Sequence, residues 1–303
     1  MLIHKRLLLR QVVRVTWKVD LLMLMLCILA YYVDTKLIPE VNIPTGIPAL
    51  MGTAIAFFIG FNNHQAYDRW WEARIIWGGL VNDSRSWVRS LIAYCCDPLI
   101  DGAAKDHSYE RKMIQRHLGF LYALKSALRN SKEEDYKKYC TNDEVVEIEK
   151  STNKANKILD MQAVALEKLK RENIIDNFQF LVLTDLLKNF CDGMGKSERI
   201  KNTVFPTTYI YFTRLFIWTF VILLTMSISL TIGLWSIFFG WVMGFVFHIT
   251  HINGLSLMNP FEDEPSGVPI SSITRTIEIN LLQALGEKEI PEPIAAVNGE
   301  YIM

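Results

Sequence analysis

The apolar positions of this chain gather into three uncharged runs, and between them polar residues recur at a helical period. The first run, 21–33, falls short of the roughly 20 residues needed to cross a ~30 Å hydrocarbon layer. Continuing the helix backwards through 12–19 supplies the length, with Arg14 and Lys18 laying their stems along it and snorkelling their charges to the headgroups. The second run, 43–61, is uncharged throughout and long enough alone; Pro44 and Pro48 fall in its first turns, where a missing N–H costs little. The third region, 207–252, has only Arg214, His248 and His251 as ionisable groups. As one helix it would reach roughly 70 Å. That is two spans, with the turn at 231–235, where Gly233 breaks the pattern and Trp235 suits an interface. Four transmembrane helices are expected.

Beyond the second run, Trp70, Ile76 or Trp77, Leu80 and Trp87 recur at helical spacing, so that span is expected to run on as one long helix ended by Pro98. Residues 111–129 and 156–171 are amphipathic at the same period, separated by the polar stretch 130–142, and no alternating strand pattern competes. The fold class that follows is all-α. Four segments are expected: 1–66 with a basic start and spans one and two, a helical region at 67–205, spans three and four at 206–254, and an acidic tail at 255–303. In the tail, Glu262, Asp263, Glu264, Glu278, Glu287, Glu289, Glu292 and Glu300 stand against Arg275 and Lys288. Pro265, Pro269, Pro291 and Pro293 keep it extended around one short helix at 273–285. Such a tail cannot fold alone, so it is expected to lie on its own or a neighbouring subunit; a solvated tail is the alternative.

Charge then sets the orientation. Lys5, Arg6, Arg10, Arg14 and Lys18 precede the first span with no acid among them, which puts the N-terminus in the cytoplasm. With four spans both termini are cytoplasmic, as is the long stretch 64–205. The N-terminal apolar run has no small-residue cleavage site after it and reads as an anchor. Over the whole chain 32 basic residues balance 32 acidic ones, so nothing points to nucleic acid as a partner.

Candidate chemistry is sparse. The cysteines Cys27, Cys95, Cys96, Cys140 and Cys191 lack ligand spacing, and indicate neither a disulfide framework nor a zinc site. Gly195-Lys196-Ser197 imitates the end of a phosphate loop, but Phe190 stands where its first glycine should be and no strand precedes it. His248 and His251 share a helix face and read as interfacial polar residues, or as two metal ligands short of a third. Arg214 reads as a snorkelling or capping residue, or as part of an ion pathway. No HExxH, GxSxG or pair of intramembrane carboxylates appears, so no residue is assigned to catalysis, the chain does not read as an enzyme, and no cofactor is implied. A secondary transporter would carry internal repeats and broken helices, and neither is evident.

Two stripes run along the second span. Gly52, Ala56 and Gly60 fall four apart, the small-xxx-small pattern that lets helices approach in lipid. One residue round the helix lie Thr53, Phe57 and Phe61. On pattern alone this second stripe faces lipid or core, or lines whatever the helices surround.

The run from Gly60-Phe61 through Arg69-Trp70-Trp71-Glu72 to Trp77-Gly78 resembles the bestrophin signature. Asn259-Pro260-Phe261 is similar to the Asn-Pro-Phe that follows the last span in that family, and residues 277–282 resemble its bacterial branch. The resemblance implies a homopentamer in the bacterial inner membrane, passing small monovalent ions through a central pore. Its neck would be lined by Thr53, Phe57 and Phe61, with Phe178 matching a lower cytosolic constriction. Such a hydrophobic neck gates by dewetting. Ring edges turned inward favour anions and ring faces favour cations; with a Thr53 hydroxyl as donor, anions such as chloride are the adopted reading and sodium the alternative. Animal bestrophins hold calcium in acids after Asn-Pro-Phe. Here Glu262, Asp263 and Glu264 stand at that place, but Pro265, Ser266 and Gly267 interrupt them, which favours a solvated acidic turn. Leu255 also departs from the family, standing where relatives carry a glutamate.

Overall fold

The computed structural model describes residues 9–39, 42–95, 108–203 and 206–296, with side chains from residue 16 in the first stretch and from residue 109 in the third. All regular structure among the described residues is helical. The described residues divide into two compact units, one taking the chain up to Trp70 and again as far as Asn259, the other Trp71–Thr203 and the chain from Pro260 onward.

The membrane unit holds α1 (Leu9–Tyr32), the first half of α2 (Gly46–Cys95), α7 (Thr207–Ile232) and α8 (Trp235–Leu255). α1 continues through a π-helical turn, Val33–Leu37, so that Thr16–Leu37 is one of four candidate spans. The others coincide with α2, α7 and α8. The third apolar region does divide in two: Gly233 takes φ +59° and caps α7 with its N–H on the Ser229 carbonyl, a conformation that a Cβ would strain. Pro44 lies ahead of α2, which starts at Gly46; only Pro48 sits in the first turn. Locally, the Pro44 carbonyl accepts from the Ile47 N–H in a turn at the helix start. Met23, Cys27, Ile55, Ile59, Ile217, Phe220 and Val221 form the unit's core. α8 approaches α1 and α7 closely because Gly240 and Gly244 carry no Cβ: one at Gly240 would overlap Thr225, and one at Gly244 would overlap Met23.

The second unit is a helical bundle: the remainder of α2, α3 (Ser108–Arg129), α4 (Asn142–Glu149), α5 (Lys154–Arg171), α6 (Asn177–Asn202) and α9 (Ile270–Ala284). The expected long second helix is present, and on it Trp77 and Trp87 are fully buried. Pro98 lies outside the described residues. The polar stretch 130–142 is not a plain loop: Asp135–Tyr139 forms a 3-10 turn and Thr141 opens α4 through a capping box with Glu144. α3 is the centre of the bundle, packing against α5, α6 and α9. On α3 itself, His117 is fully buried among Trp87, Phe120 and Phe190. Burial alone lowers its pKa to about 3.

Candidate pore-lining site

α2 turns two opposed faces to its surroundings within the membrane unit. Ile55, Ile59, Asn62 and Ala66 are buried at helical spacing, whereas Leu50, Thr53, Phe57 and Phe61 are exposed on the other side. Phe57 is 71 % exposed and Phe61 46 %. A helix that seats β-branched isoleucines in the core of its own chain and leaves two phenylalanines bare presents them to something else: lipid, another copy, or a pore. The structure therefore brings Thr53, Phe57 and Phe61 onto one exposed face. The Thr53 hydroxyl donates to the Ala49 carbonyl at 2.9 Å, so its hydrogen is engaged within the helix and its lone pairs point away. That removes the donor role expected of it for an anion.

The small-residue stripe is not uniform. A Cβ on Gly52 would come to 3.0 Å from the Phe220 ring of the same chain, so this glycine serves packing inside the subunit. Among the described residues nothing lies within 4 Å of that position at Gly60, and Ala56 is exposed.

Of the Arg69 to Glu72 motif, Arg69 and Trp70 are half-buried, with Trp70 stacked on Tyr67 at 6.1 Å between ring centroids. Trp71 is 49 % exposed, and Glu72 accepts from Arg199 of α6 at 2.7 Å. Phe178 stands in the first turn of α6 and is 80 % exposed. Asp176 caps that turn by accepting from the Gln179 N–H at 2.7 Å.

The acidic run makes a tight turn rather than a clasp. Gly267 donates to the Glu264 carbonyl and Val268 to the Pro260 carbonyl, while Phe261 is buried beside them. Glu262, Asp263 and Glu264 are exposed, and Asp263 pairs with Arg129 at 2.5 Å. Among the described residues no three His, Cys, Asp or Glu side chains converge as metal ligands. The tail docks on its own subunit, as one of the two expected arrangements. Glu278 of α9 is 4 % exposed, accepts from the Tyr122 and Tyr139 hydroxyls, and pairs with Arg275. Burial, and then the carboxylate to which they donate, push both phenols up. The family-like run 277–282 marked this helix, but nothing in the sequence signalled the tyrosines 139 and 156 positions away. Gly195-Lys196-Ser197 lies inside α6, with the Ser197 hydroxyl buried on the Gly193 carbonyl, and forms no phosphate loop.

The family model described as Bacterial/Fungal Bestrophin protein matches residues 6–283, from ahead of α1 almost to the end of α9. This chain is a bestrophin. Its relatives include the voltage-dependent anion channel-forming protein YneE of Escherichia coli (strain K12), 27 % identical over 247 residues, 81 % of this chain and 78 % of that one. Another is the voltage-dependent anion channel-forming protein alr2987 of Nostoc sp., 25 % identical over 268 residues and 84 % of each chain. Among solved structures, a bacterial bestrophin homolog from Klebsiella pneumoniae superposes with a TM-score of 0.81 at 23 % identity, over 89 % of this bestrophin and 98 % of that chain. The four-span helical architecture is thus the bestrophin fold.

Proposed function

We propose that this bestrophin is an ion channel whose pore forms on the axis of five identical copies, with Thr53, Phe57 and Phe61 of each copy lining a hydrophobic neck that gates by dewetting. The observation that carries the reading is the exposure of Phe57, at 71 %, opposite an Ile55 and Ile59 face that is already buried within the subunit. Ala56 and Gly60, beside that stripe and with none of the described residues against a Cβ position at Gly60, supply the flat surface on which an adjacent copy seats. Phe178 is assigned to a second, lower ring. The proposed location is the bacterial inner membrane with both termini in the cytoplasm, an orientation supported by the basic residues ahead of α1.

Small monovalent anions such as chloride are the proposed cargo, a choice supported by relatives that bear the name of anion channel-forming proteins. A monovalent cation such as sodium is the second reading, favoured by the Thr53 hydroxyl, whose donor is spent on Ala49. Reversal potentials of the purified protein in a lipid bilayer under a salt gradient distinguish the two. Phe57→Ala and Phe61→Ala are expected to raise open probability; unchanged conductance and gating in both would refute the neck. Flux that saturates, or that needs a coupling ion, would point to a transporter.

A further inference from the structure

The seam along α8 changes character half-way. At its first half, Gly240 faces Cys27 and Thr225, and Gly244 faces Met23 and Val221, so α1 and α7 both run antiparallel to α8 with matched four-residue steps. The same face continues one and two turns further as His248 and His251, which are 7 % and 2 % exposed. On α1 the same face continues, three and seven residues back from Met23, as Asp20 and the fully buried Thr16, whose hydroxyl donates to Asp20 Oδ2 at 2.6 Å. On α7 four-residue steps from Val221 pass the buried Ile217 and reach the buried Thr213, with Arg214 next to it. An apolar seam built for close approach thus becomes a polar stretch inside the membrane unit.

Five buried atoms there lack a hydrogen-bond partner among the described residues: His248 Nε2, His251 Nε2, Asp20 Oδ1, and the side-chain oxygens of Asn62 and Asn63. An imidazole nitrogen left so in a helix bundle is expensive unless it holds a proton or a water. Asp20 from α1 acts on His248, and Arg214 from α7 acts on both rings. From α2 the facing groups are the uncharged Asn62 and Asn63; the ionisable pair on that helix, His64 with Asp68, is exposed. The polar stretch also holds α2 immediately after Phe61. Asn62 donates to Thr213, and Asn63 donates to the Thr250 carbonyl, which lies between the two histidines in sequence.

We propose that Asp20, His248 and His251 form a proton-binding site inside the membrane unit, and that loading it opens the neck. A proton on either ring places a cation against Arg214, offset by Asp20 only at His248, so the polar stretch takes up water and expands. The expansion acts on α2 through Asn62 and Asn63, two positions that follow Phe61 immediately. The opening half of the proposal rests on the channel reading above; the proton-binding half does not.

Two measurements on the whole protein in lipid vesicles test the halves separately. Histidine-ring NMR from about pH 8 to about pH 4.5 is expected to show the two resonances missing from H248Q and H251Q changing with pH, and D20N is expected to move that change to more acidic pH. Rings that stay unaltered throughout overturn the site. Bilayer recordings over the same range are expected to show wild-type open probability rising about fivefold or more, and the H248Q/H251Q double variant staying flat. A flat wild-type response with steady current overturns the coupling and leaves the channel standing, whatever becomes of the variants. No current at any pH overturns the channel reading and the coupling together, and the NMR titration still decides the site.

Discussion

Acidification should loosen the second unit through a single side chain, His117. Its Nε2 lies 2.8 Å from the Ser84 hydroxyl, which itself donates to the Leu80 carbonyl; with that hydrogen spent, Ser84 accepts and the ring carries its proton on Nε2. The ring is packed against Phe190 at 4.2 Å between centroids and is fully enclosed, which holds its pKa at about 3. An unfolded histidine titrates near 6.5. Above about pH 6.5 both states are neutral and the group has no effect on stability with pH. Between about 6.5 and 3 the opened state binds a proton that the folded state refuses, so stability falls by about 1.4 kcal/mol per pH unit. From pH 7.5 to 4.5 the loss is about 2.7 kcal/mol, roughly a hundredfold in the opening equilibrium. Hydrogen exchange of the α3 amides, corrected for intrinsic rates, measures that opening. His117→Met gives up the Ser84 bond and the titration together, so its protection starts lower and lacks this component of the fall. A variant with the same pH slope as wild type would refute the linkage.

Other outcomes follow from individual contacts. Glu278→Ala leaves the Tyr122 and Tyr139 hydroxyls and Arg275 without their carboxylate. It should cost about 3–5 kcal/mol and expose the tail to limited proteolysis, an effect absent if the buried cluster contributes nothing to docking. Gly254→Ala would drive a Cβ into Asn63 Oδ1 and break the bond to the Thr250 carbonyl. It should destabilise the protein by about 1–3 kcal/mol, and the cost should shrink in an Asn63→Ala background; equal costs in both would show that the overlap is relieved elsewhere. Since Asp263 is held by Arg129 and its acidic neighbours do not converge, calorimetric titration should detect no calcium binding tighter than about 1 mM, and a tighter site would overturn that reading of the turn.

How far the sequence reached depended on whether a feature was periodic or convergent. The spans, the break at Gly233 and the long second helix follow from hydropathy and spacing, because a chain in lipid satisfies its backbone within each helix and so advertises its spans locally. The exposed stripe of Thr53, Phe57 and Phe61 was legible for the same reason, as positions four apart on one helix. The Thr53 donor was misjudged, because a hydroxyl in a helix finds the carbonyl four residues back before it finds an ion.

What only the tertiary structure decided is who meets whom. Glu278 gathers tyrosines from two other elements, Gly52 meets Phe220 in its own chain, and the glycines of α8 hand their face on to His248 and His251 beside Asp20. These are encounters between side chains far apart in sequence, set by helix register and close packing. No periodicity along one strand of chain encodes them, because each helix carries only its own half of the contact.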